Sequence, residues 1–260
     1  MFRLVFLAPL FVFGAEIASS GWQLSSLRRM LLAPGRSGIV DLAFYVAIVS
    51  GVTQSFISLV SLGLSWAIAH AVPIELTRIG LHIVHFNSGF FLIDLPLFIG
   101  ASTFFHYWSH RLFHTKRFWF VHRVHHSAEF MSPLVATRDN PIQLALDGII
   151  VNVVPFMILD PAPKVIAVAA AFTASYQFLV HGDLQWSWGW FGRWILMSPI
   201  NHRVHHAAPI ELRDRNFGIL ILWDRIFGTY TPPPPGRFPV GLGEPAPIGG
   251  RIESVPTAQA

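Results

Sequence analysis

The sequence predicts an all-α integral membrane protein: a helical bundle of about four membrane helices in hairpins, with histidine motifs near the membrane surface. Three observations predict this fold class. The 260 residues are 53% hydrophobic and only 12% charged, and soluble domains usually have roughly twice that charged fraction. Long apolar runs alternate with short basic segments, as in membrane helices joined by loops. Histidines recur at spacings of three and four, which place side chains on one face of a helix.

The first apolar run covers residues 4–15 and follows Arg3. It has the features of either a secretory signal peptide or a first membrane helix, and we expect it to be retained. The next run, residues 42–74, contains no Asp, Glu, Lys or Arg. A spanning helix needs roughly 20 apolar residues. This run therefore predicts one long crossing, with a bend at the softer and more polar residues 51–55.

A third apolar run covers residues 79–108 and leads into His110. Two shorter apolar pieces follow at residues 148–159 and 165–180. Because they are short, they suit a tight or re-entrant hairpin better than two upright crossings. Either arrangement returns the chain to the side that it left, so we expect His181 to lie level with the other histidines.

We divide the chain into N-terminal membrane helices (residues 1–91), a histidine-bearing domain (residues 92–230) and a Pro/Gly-rich tail (residues 231–260) that is extended or disordered. The net charge of +4 is modest, and the basic residues flank apolar runs. They indicate membrane orientation and not a nucleic-acid partner. We expect a bacterial inner membrane protein whose histidines face the cytoplasm. The basic residues that this topology places there are Arg28, Arg29, Arg36, Arg111, Lys116, Arg117, Arg123 and Arg138.

The histidine motifs read H-R-L-F-H, H-R-V-H-H, a single H-G-D, and H-R-V-H-H again. Spacings of three and four allow each cluster to aim two or three ring nitrogens at a common point. Clusters from distant parts of the chain could then enclose two metal ions. The nine candidate metal ligands are His110, His114, His122, His125, His126, His181, His202, His205 and His206.

The composition favours histidine as the metal ligand. Cysteine is absent, which excludes disulfides, thiolate-ligated zinc and iron–sulfur clusters. Neutral imidazole binds divalent iron or zinc well. Iron held by neutral rings keeps its positive charge, which suits binding of reduced oxygen species, and a membrane-embedded site keeps this chemistry dry. The alternative is that the histidines and adjacent arginines bind lipid headgroups.

Metal-bound histidines usually donate their second N–H to a carboxylate or carbonyl group. The candidate carboxylates are Asp183, Asp214, Asp224 and Glu129. We assign this supporting role to Asp183 and Asp224. His106 lies one helical turn before the first motif, where it could be a ligand or support one, and we interpret it as a packing residue.

Several motifs together resemble a known family. Residues 107–114 read Y-W-S-H-R-L-F-H, residues 122–127 read H-R-V-H-H-S, and residues 202–206 read H-R-V-H-H. N-F-G at residues 216–218 and W-D-R-I-F-G-T-Y at residues 223–230 follow. This pattern resembles the fatty acid hydroxylase/sterol desaturase superfamily of membrane di-iron enzymes. The resemblance implies that residues 92–230 form a catalytic domain, that a cytosolic helical cap carries the histidine motifs, and that His181 is a ligand.

The resemblance also implies two iron ions, molecular oxygen as co-substrate and a separate protein as electron donor. Zinc could replace iron in a purified sample. The implied activity is hydroxylation or desaturation of a lipid, either a fatty acyl chain or a sterol-like substrate. Both reactions begin with hydrogen abstraction from a C–H bond, so the ligand motifs do not separate them. Two alternatives remain, an ether-lipid-cleaving monooxygenase and a non-catalytic metal- or lipid-binding membrane protein.

Overall fold

The computed structural model describes residues 5–60, 78 and 87–243. Regular structure in these residues is helical, and no β-strand occurs among them. The α-helices are α1 (Ala8–Ser20), α2 (Ser26–Leu32), α3 (Gly35–Val49), α4 (Val52–Val60), α5 (Phe91–Phe113), α6 (Trp119–His122), α7 (Pro141–Asp147), α8 (Val154–Leu159), α9 (Pro163–His181), α10 (Gly189–Trp194), α11 (Pro199–His205) and α12 (Ile221–Ile226). A π-helical segment, Gly148–Val153, joins α7 to α8. Short 3-10 turns are formed by Trp22–Leu24, His125–Ser127, Pro133–Thr137 and Ile210–Leu212.

Two helical segments are long and apolar enough to cross a membrane, Pro141–Leu159 and Pro163–His181. A third crossing is added if α2 and α3, which meet at a bend of 102°, form one broken span. The described residues are therefore helical and contain two or three candidate membrane spans, where the sequence predicted about four for the whole chain. Residues 61–77 and 79–86, which hold much of two predicted runs, lie outside the described residues.

The two candidate spans are longer than the apolar pieces predicted at residues 148–159 and 165–180. Each is 19 residues long and begins with a proline in its first turn. Proline is well placed there because its missing N–H would have no helical partner. The side chain of Asn140 also caps α7 by accepting a hydrogen bond from the N–H of Ile142. Each segment therefore has the length of an upright crossing, which the sequence analysis had disfavoured.

A break occurs where the sequence analysis expected a bend within residues 42–74. Helix α3 ends at Val49 and α4 begins at Val52. Between them Gly51 has a φ of +82°, a conformation that glycine adopts without steric cost. The described part of this run is therefore two helices joined at Gly51.

Helix α9 lies at the centre of the bundle and packs against α1, α5 and α11. Its Phe178 belongs to the same apolar cluster as Val12 of α1. Nearer the N-terminus of α9, Ala169 packs with Phe98 of α5. Because α9 ends at His181, this packing fixes where His181 enters the histidine region.

A buried ion pair connects α3 to the loop that follows the second histidine motif. Arg138 donates a hydrogen bond of 2.8 Å to Asp41, and both side chains are buried. Arg138 also donates to the hydroxyl groups of Ser37 and Ser127. The sequence analysis placed Arg138 among the membrane-orienting cations, whereas its charge is satisfied here inside the fold.

Candidate metal centre

Helix ends bring the nine candidate histidines into one compartment. His110 lies in the last turn of α5, His114 directly follows that helix, and His181 is the last residue of α9. The other six belong to α6, to the 3-10 turn His125–Ser127, or to the end of α11. Eight of the nine are buried and His114 is partly buried. Segments far apart in the sequence therefore contribute side chains to one shielded region.

The ring nitrogens form two groups, in each of which the potential ligand atoms lie within 4.8 Å of one another. Site A contains His110, His114, His122, His126 and His205. Site B contains His125, His181, His202 and His206. Each group is compact enough to surround one ion, so the structure contains two buried histidine sites consistent with a di-metal centre.

Helical rotation decides which site each histidine joins. His122 and His126 are four residues apart and both belong to site A, whereas His125 belongs to site B. Successive residues of a helix rotate by about 100°, so His125 and His126 face different directions while His122 and His126 nearly align. The other H-R-V-H-H motif divides in the opposite sense, with His202 and His206 in site B and His205 in site A. The sequence predicted that each motif directs its ring nitrogens toward a common point. This prediction is corrected for the two H-R-V-H-H motifs, because each contributes histidines to both sites.

In site A, the nitrogens that face away from the centre contact oxygen acceptors. Nδ1 of His110 lies 2.9 Å from the carbonyl oxygen of Phe217, and Nδ1 of His122 lies 2.8 Å from Oε1 of Gln143. The amide nitrogen of Gln143 donates to Asp139, which fixes its oxygen toward the histidine. Because these oxygens only accept, both rings carry their hydrogen on Nδ1 and have a lone pair on Nε2.

Those lone pairs face each other across site A. The Nε2 atoms of His110 and His122 are 3.0 Å apart, and Nε2 of His126 lies 3.1 Å from that of His122. Two lone pairs at this distance repel unless a cation lies between them. Burial, reinforced by the neighbouring rings, lowers the pKa of His122 and His126 well below the usual 6.5, so a proton is disfavoured. The donor set therefore fits a metal ion.

Site B has the same character. Nδ1 of His181 donates to the carbonyl oxygen of Gln177 at 2.7 Å, which leaves a lone pair on Nε2. That Nε2 lies 2.9 Å from Nε2 of His202 and 3.1 Å from Nε2 of His125. Both ring nitrogens of His206 are buried and have no hydrogen-bond partner among the described residues. Buried polar atoms are normally satisfied, so a metal ion fits this group as well.

Asp183 and Asp224, assigned a supporting role from the sequence, have partners other than histidine rings among the described interactions. Asp183 accepts from Arg203 at 2.8 Å and from Arg237 at 2.5 Å. It follows His181 by two residues, so these ion pairs hold the turn beyond α9.

Asp224 acts on site A through the backbone. It accepts hydrogen bonds of 2.8 Å from the N–H groups of Phe217 and Gly218, and one of 2.6 Å from the hydroxyl of Thr229. The carbonyl of Phe217 is the acceptor for His110. Burial raises the pKa of Asp224 to about 6. Asp224 thus orients the peptide segment that orients His110.

The carboxylates that contact histidine rings directly are Asp214 and Asp139. Nδ1 of His114 lies 2.8 Å from Asp214, and Nδ1 of His125 lies 3.3 Å from Asp139. Asp214 is one of the four carboxylates that the sequence offers for this role, although the role was assigned to Asp183 and Asp224, and Asp139 is not among the four. Asp139 lies two residues before Pro141, the first residue of α7. A carboxylate is common near the start of a helix. An aspartate at this position therefore did not indicate a partner of a histidine.

His106 lies outside both sites, in agreement with its interpretation as a residue that is not a ligand. Its ring packs beside that of His110, with the ring centroids 5.2 Å apart. Sequence reasoning also passed over Asp147, although a signal was present. It is the single charged residue in Pro141–Leu159, and an ionisable side chain in an apolar helix indicates a functional position.

Two adjoining cavities connect the histidines with the apolar helices. The first, of about 170 Å³, is lined by histidines of both sites and by His106 and Asp147. The second, of about 370 Å³, lies between α5 and α9 and is lined mainly by apolar side chains. The residues that line both are His106, Val151, Gln177 and Ile219. An apolar chain that enters between these helices can therefore approach the two sites.

The described residues form a helical protein with candidate membrane spans and two buried clusters of histidines, consistent with a di-metal site, beside an apolar cavity. The chain belongs to the fatty acid hydroxylase family, whose model matches residues 95–229, just over half of the sequence. That segment contains all nine histidines of sites A and B. The resemblance stated from the sequence motifs is thus confirmed.

Several curated proteins are similar to this chain. Alkylglycerol monooxygenase of Danio rerio is 40% identical over 129 residues, which cover 49% of this chain and 28% of that protein. The protein of the same name from Homo sapiens is 36% identical over 51% of this chain and 29% of its own length. Ornithine lipid hydroxylase OlsE of Rhizobium tropici is 29% identical over 52% of this chain and 41% of its own length. The chain thus matches well under half the length of each of these relatives. No solved structure matches it.

Proposed function

We propose that this protein is a di-iron monooxygenase that uses O2 to hydroxylate a C–H bond of a lipid, with the irons held by the nine histidines of sites A and B. The observation that carries the proposal is the adjacency of these two sites to an apolar cavity between membrane helices. The names of the similar proteins, monooxygenases and a lipid hydroxylase, favour hydroxylation over desaturation.

Bound iron supplies the O2-dependent chemistry that removes hydrogen from an unactivated C–H bond. The chain's own residues prepare the site for that chemistry. The carbonyl groups of Phe217 and Gln177 hold His110 and His181 with their Nε2 lone pairs directed inward. Burial of the rings excludes water, which keeps the reaction on the substrate and away from solvent. The mainly apolar lining of the cavity between α5 and α9 can position a hydrocarbon chain.

A second candidate, favoured by the names of two of the similar proteins above, is cleavage of an ether lipid. Hydroxylation of the carbon beside the ether oxygen converts its C–H bond to C–OH and gives a hemiacetal. The C–O bond of the former ether then breaks, which releases an aldehyde and an alcohol. The same two sites serve this reaction, because only the position of the attacked carbon differs.

Each turnover reduces one O2 with four electrons, of which the substrate supplies two. We propose that a separate electron-donor protein supplies the other two.

We also propose that the histidine region faces the cytoplasm of a bacterial inner membrane. Arg28 and Arg29 line one pocket with Asp183, two residues after His181. These basic residues of α2 therefore lie near the end of α9 that carries His181, and basic residues are enriched on the cytoplasmic side of membranes.

The test combines a metal count with a lipid profile. The full chain, purified in detergent and reconstituted with iron, is expected to hold two iron ions, since the structure contains two sites. Lipid extracts of cells with and without the active chain are then compared by mass. A gain of one oxygen supports hydroxylation, and aldehyde release supports ether cleavage.

The matched control is a chain in which His202 and His205 are both replaced by Ala, which removes one ring from each site. It should lose iron and lipid oxidation together. A wild-type chain that resists iron loading and leaves the lipids unchanged would contradict the proposal, and would favour a non-catalytic lipid-binding protein.

A further inference from the structure

Several polar residues that line the cavity beside the histidines belong to neither metal site. His106 and Asp147 both line the 170 Å³ cavity beside the histidines, and neither is a member of site A or site B. His106 also lines the adjoining apolar cavity. His106 therefore lies where the apolar cavity meets the cavity beside the histidines, and Asp147 lines the latter.

The ring of His106 has an unsatisfied polar atom. Its Nδ1 is buried and has no hydrogen-bond partner among the described residues. The ring is held in place by packing beside His110. Because buried polar atoms are rarely left without partners, this nitrogen can accept or donate a hydrogen bond to a molecule in the cavity.

Asp147 is the second polar feature of the same wall. Ser109 donates a hydrogen bond of 2.9 Å to one carboxylate oxygen, and Gln143 lies beside the carboxylate. The segment Gly148–Val153 that follows is π-helical, a conformation that often occurs at functional sites. No cation is paired with Asp147 among the described residues. A ligand hydroxyl could therefore donate to this carboxylate.

The rest of the adjoining cavity would accept a hydrocarbon chain. Its apolar lining includes Phe98, Ile99, Leu144, Ile166, Ala169 and Ala170. A ligand that fits both parts has an apolar chain and a small polar group at the end nearest the metal centre. A hydroxyl group suits this polar end because it both donates and accepts hydrogen bonds.

We propose that His106 and Asp147 form a hydroxyl-binding subsite that selects lipids carrying a free hydroxyl close to the carbon to be oxidised. This inference rests on the proposed function, since it names the substrate class of the same site. The hydroxyl binds at the junction of the two cavities, and the chain beyond it lies between α5 and α9. The neighbouring carbon atoms then face the histidines.

The test measures binding without turnover. The full chain is purified in detergent and loaded with zinc, which is not redox-active. Two labelled probes are compared: hexadecylglycerol with both hydroxyls free, and the same molecule with both hydroxyls methylated. The variants are His106→Phe, His106→Asn and Asp147→Asn. Asp160→Asn is the matched control, because Asp160 is exposed at the far end of the same helical segment.

Wild-type protein should bind the free-hydroxyl probe about tenfold more tightly than the methylated probe, as hydrogen bonds to an ionised or buried group allow. His106→Phe and Asp147→Asn should each lose most of this preference while retaining zinc and affinity for the methylated probe. His106→Asn, which retains a polar atom near the position of Nδ1, should keep part of the preference, and Asp160→Asn should keep all of it.

Equal binding of the two probes by the wild-type chain would overturn the proposal, even if both cavity variants failed to fold. Full retention of the preference in His106→Phe and Asp147→Asn would overturn it as well. Because zinc-loaded protein performs no oxidation, these results do not depend on the proposed activity. A chain that oxidises lipids without the preference refutes the subsite alone, and a chain with the preference but no oxidation refutes the activity alone.

Discussion

The carboxylate of Glu16 accepts a hydrogen bond of 2.9 Å from the backbone N–H of Asp183, 167 positions further along the chain. Its other oxygen accepts from the N–H and the hydroxyl of Ser26, at 2.8 and 2.7 Å. Glu16 is 0% exposed. Since Asp183 follows His181 by two residues, this contact ties α1 to the end of α9 that presents a histidine to site B.

Replacement of Glu16 by Ala should destabilise the protein strongly. It leaves three buried donors without their acceptor, which should lower the free energy of unfolding by about 3 kcal/mol. The measurement is denaturant-induced unfolding of the detergent-solubilised chain. Glu211→Ala is the control, because Glu211 is exposed. Equal losses for the two variants would show that the contact contributes little.

Gly182 should not tolerate a side chain, because α1 approaches it closely. A Cβ atom there would lie 2.6 Å from Cγ1 of Val12 and 3.2 Å from the carbonyl oxygen of Leu179. We expect Gly182→Ala to lower the free energy of unfolding by about 2 kcal/mol. The additional substitution Val12→Ala should recover part of that loss, as a double-mutant cycle would measure. Strictly additive losses would contradict the proposed steric contact.

Two neighbouring histidines should affect different metal ions. His125 belongs to site B and His126 to site A. If the sites hold one ion each, His125→Ala and His126→Ala should each reduce the metal content from two ions per chain to one, and the double variant should hold none. Elemental analysis of the purified chains measures the content. Unchanged metal content in both single variants would remove these residues from the ligand set.

The protein should lose stability as the pH falls below the usual histidine pKa. Burial is the largest cause of the lowered pKa of six histidines outside the spanning segments, namely His114, His122, His126, His202, His205 and His206. Above the unfolded value of 6.5 both states are neutral, so these groups contribute no pH dependence. Below it the unfolded chain binds more protons than the folded chain, and the free energy of unfolding decreases.

The unfolding temperature of chelator-treated protein, measured between about pH 7.5 and pH 5.5, tests this expectation. It should fall steadily over the lower half of that range. Loading with metal should raise the unfolding temperature at the upper end, since metal binding requires neutral rings. An unfolding temperature that is constant or rises on acidification would show that the rings are not buried in their neutral form.

Sequence spacing by itself singled out the histidines that the structure gathers into two clusters. The pairs four residues apart, such as His122 and His126, do point into the same site, because helical rotation is a local property of the backbone. The long apolar runs and the low charge likewise indicated a helical membrane protein. These features depend on residues close together in the sequence, so a pattern can reveal them.

Tertiary structure decided how the histidines are shared and supported. His181 meets His125 and His202 only because α9 packs against α11 and the loops between them. The acceptors for His110 and His205 are the backbone carbonyls of Phe217 and Arg215. Every residue has a carbonyl group, so no residue type marks these partners in the sequence. Their selection depends on contacts between distant segments, which only the packed fold defines.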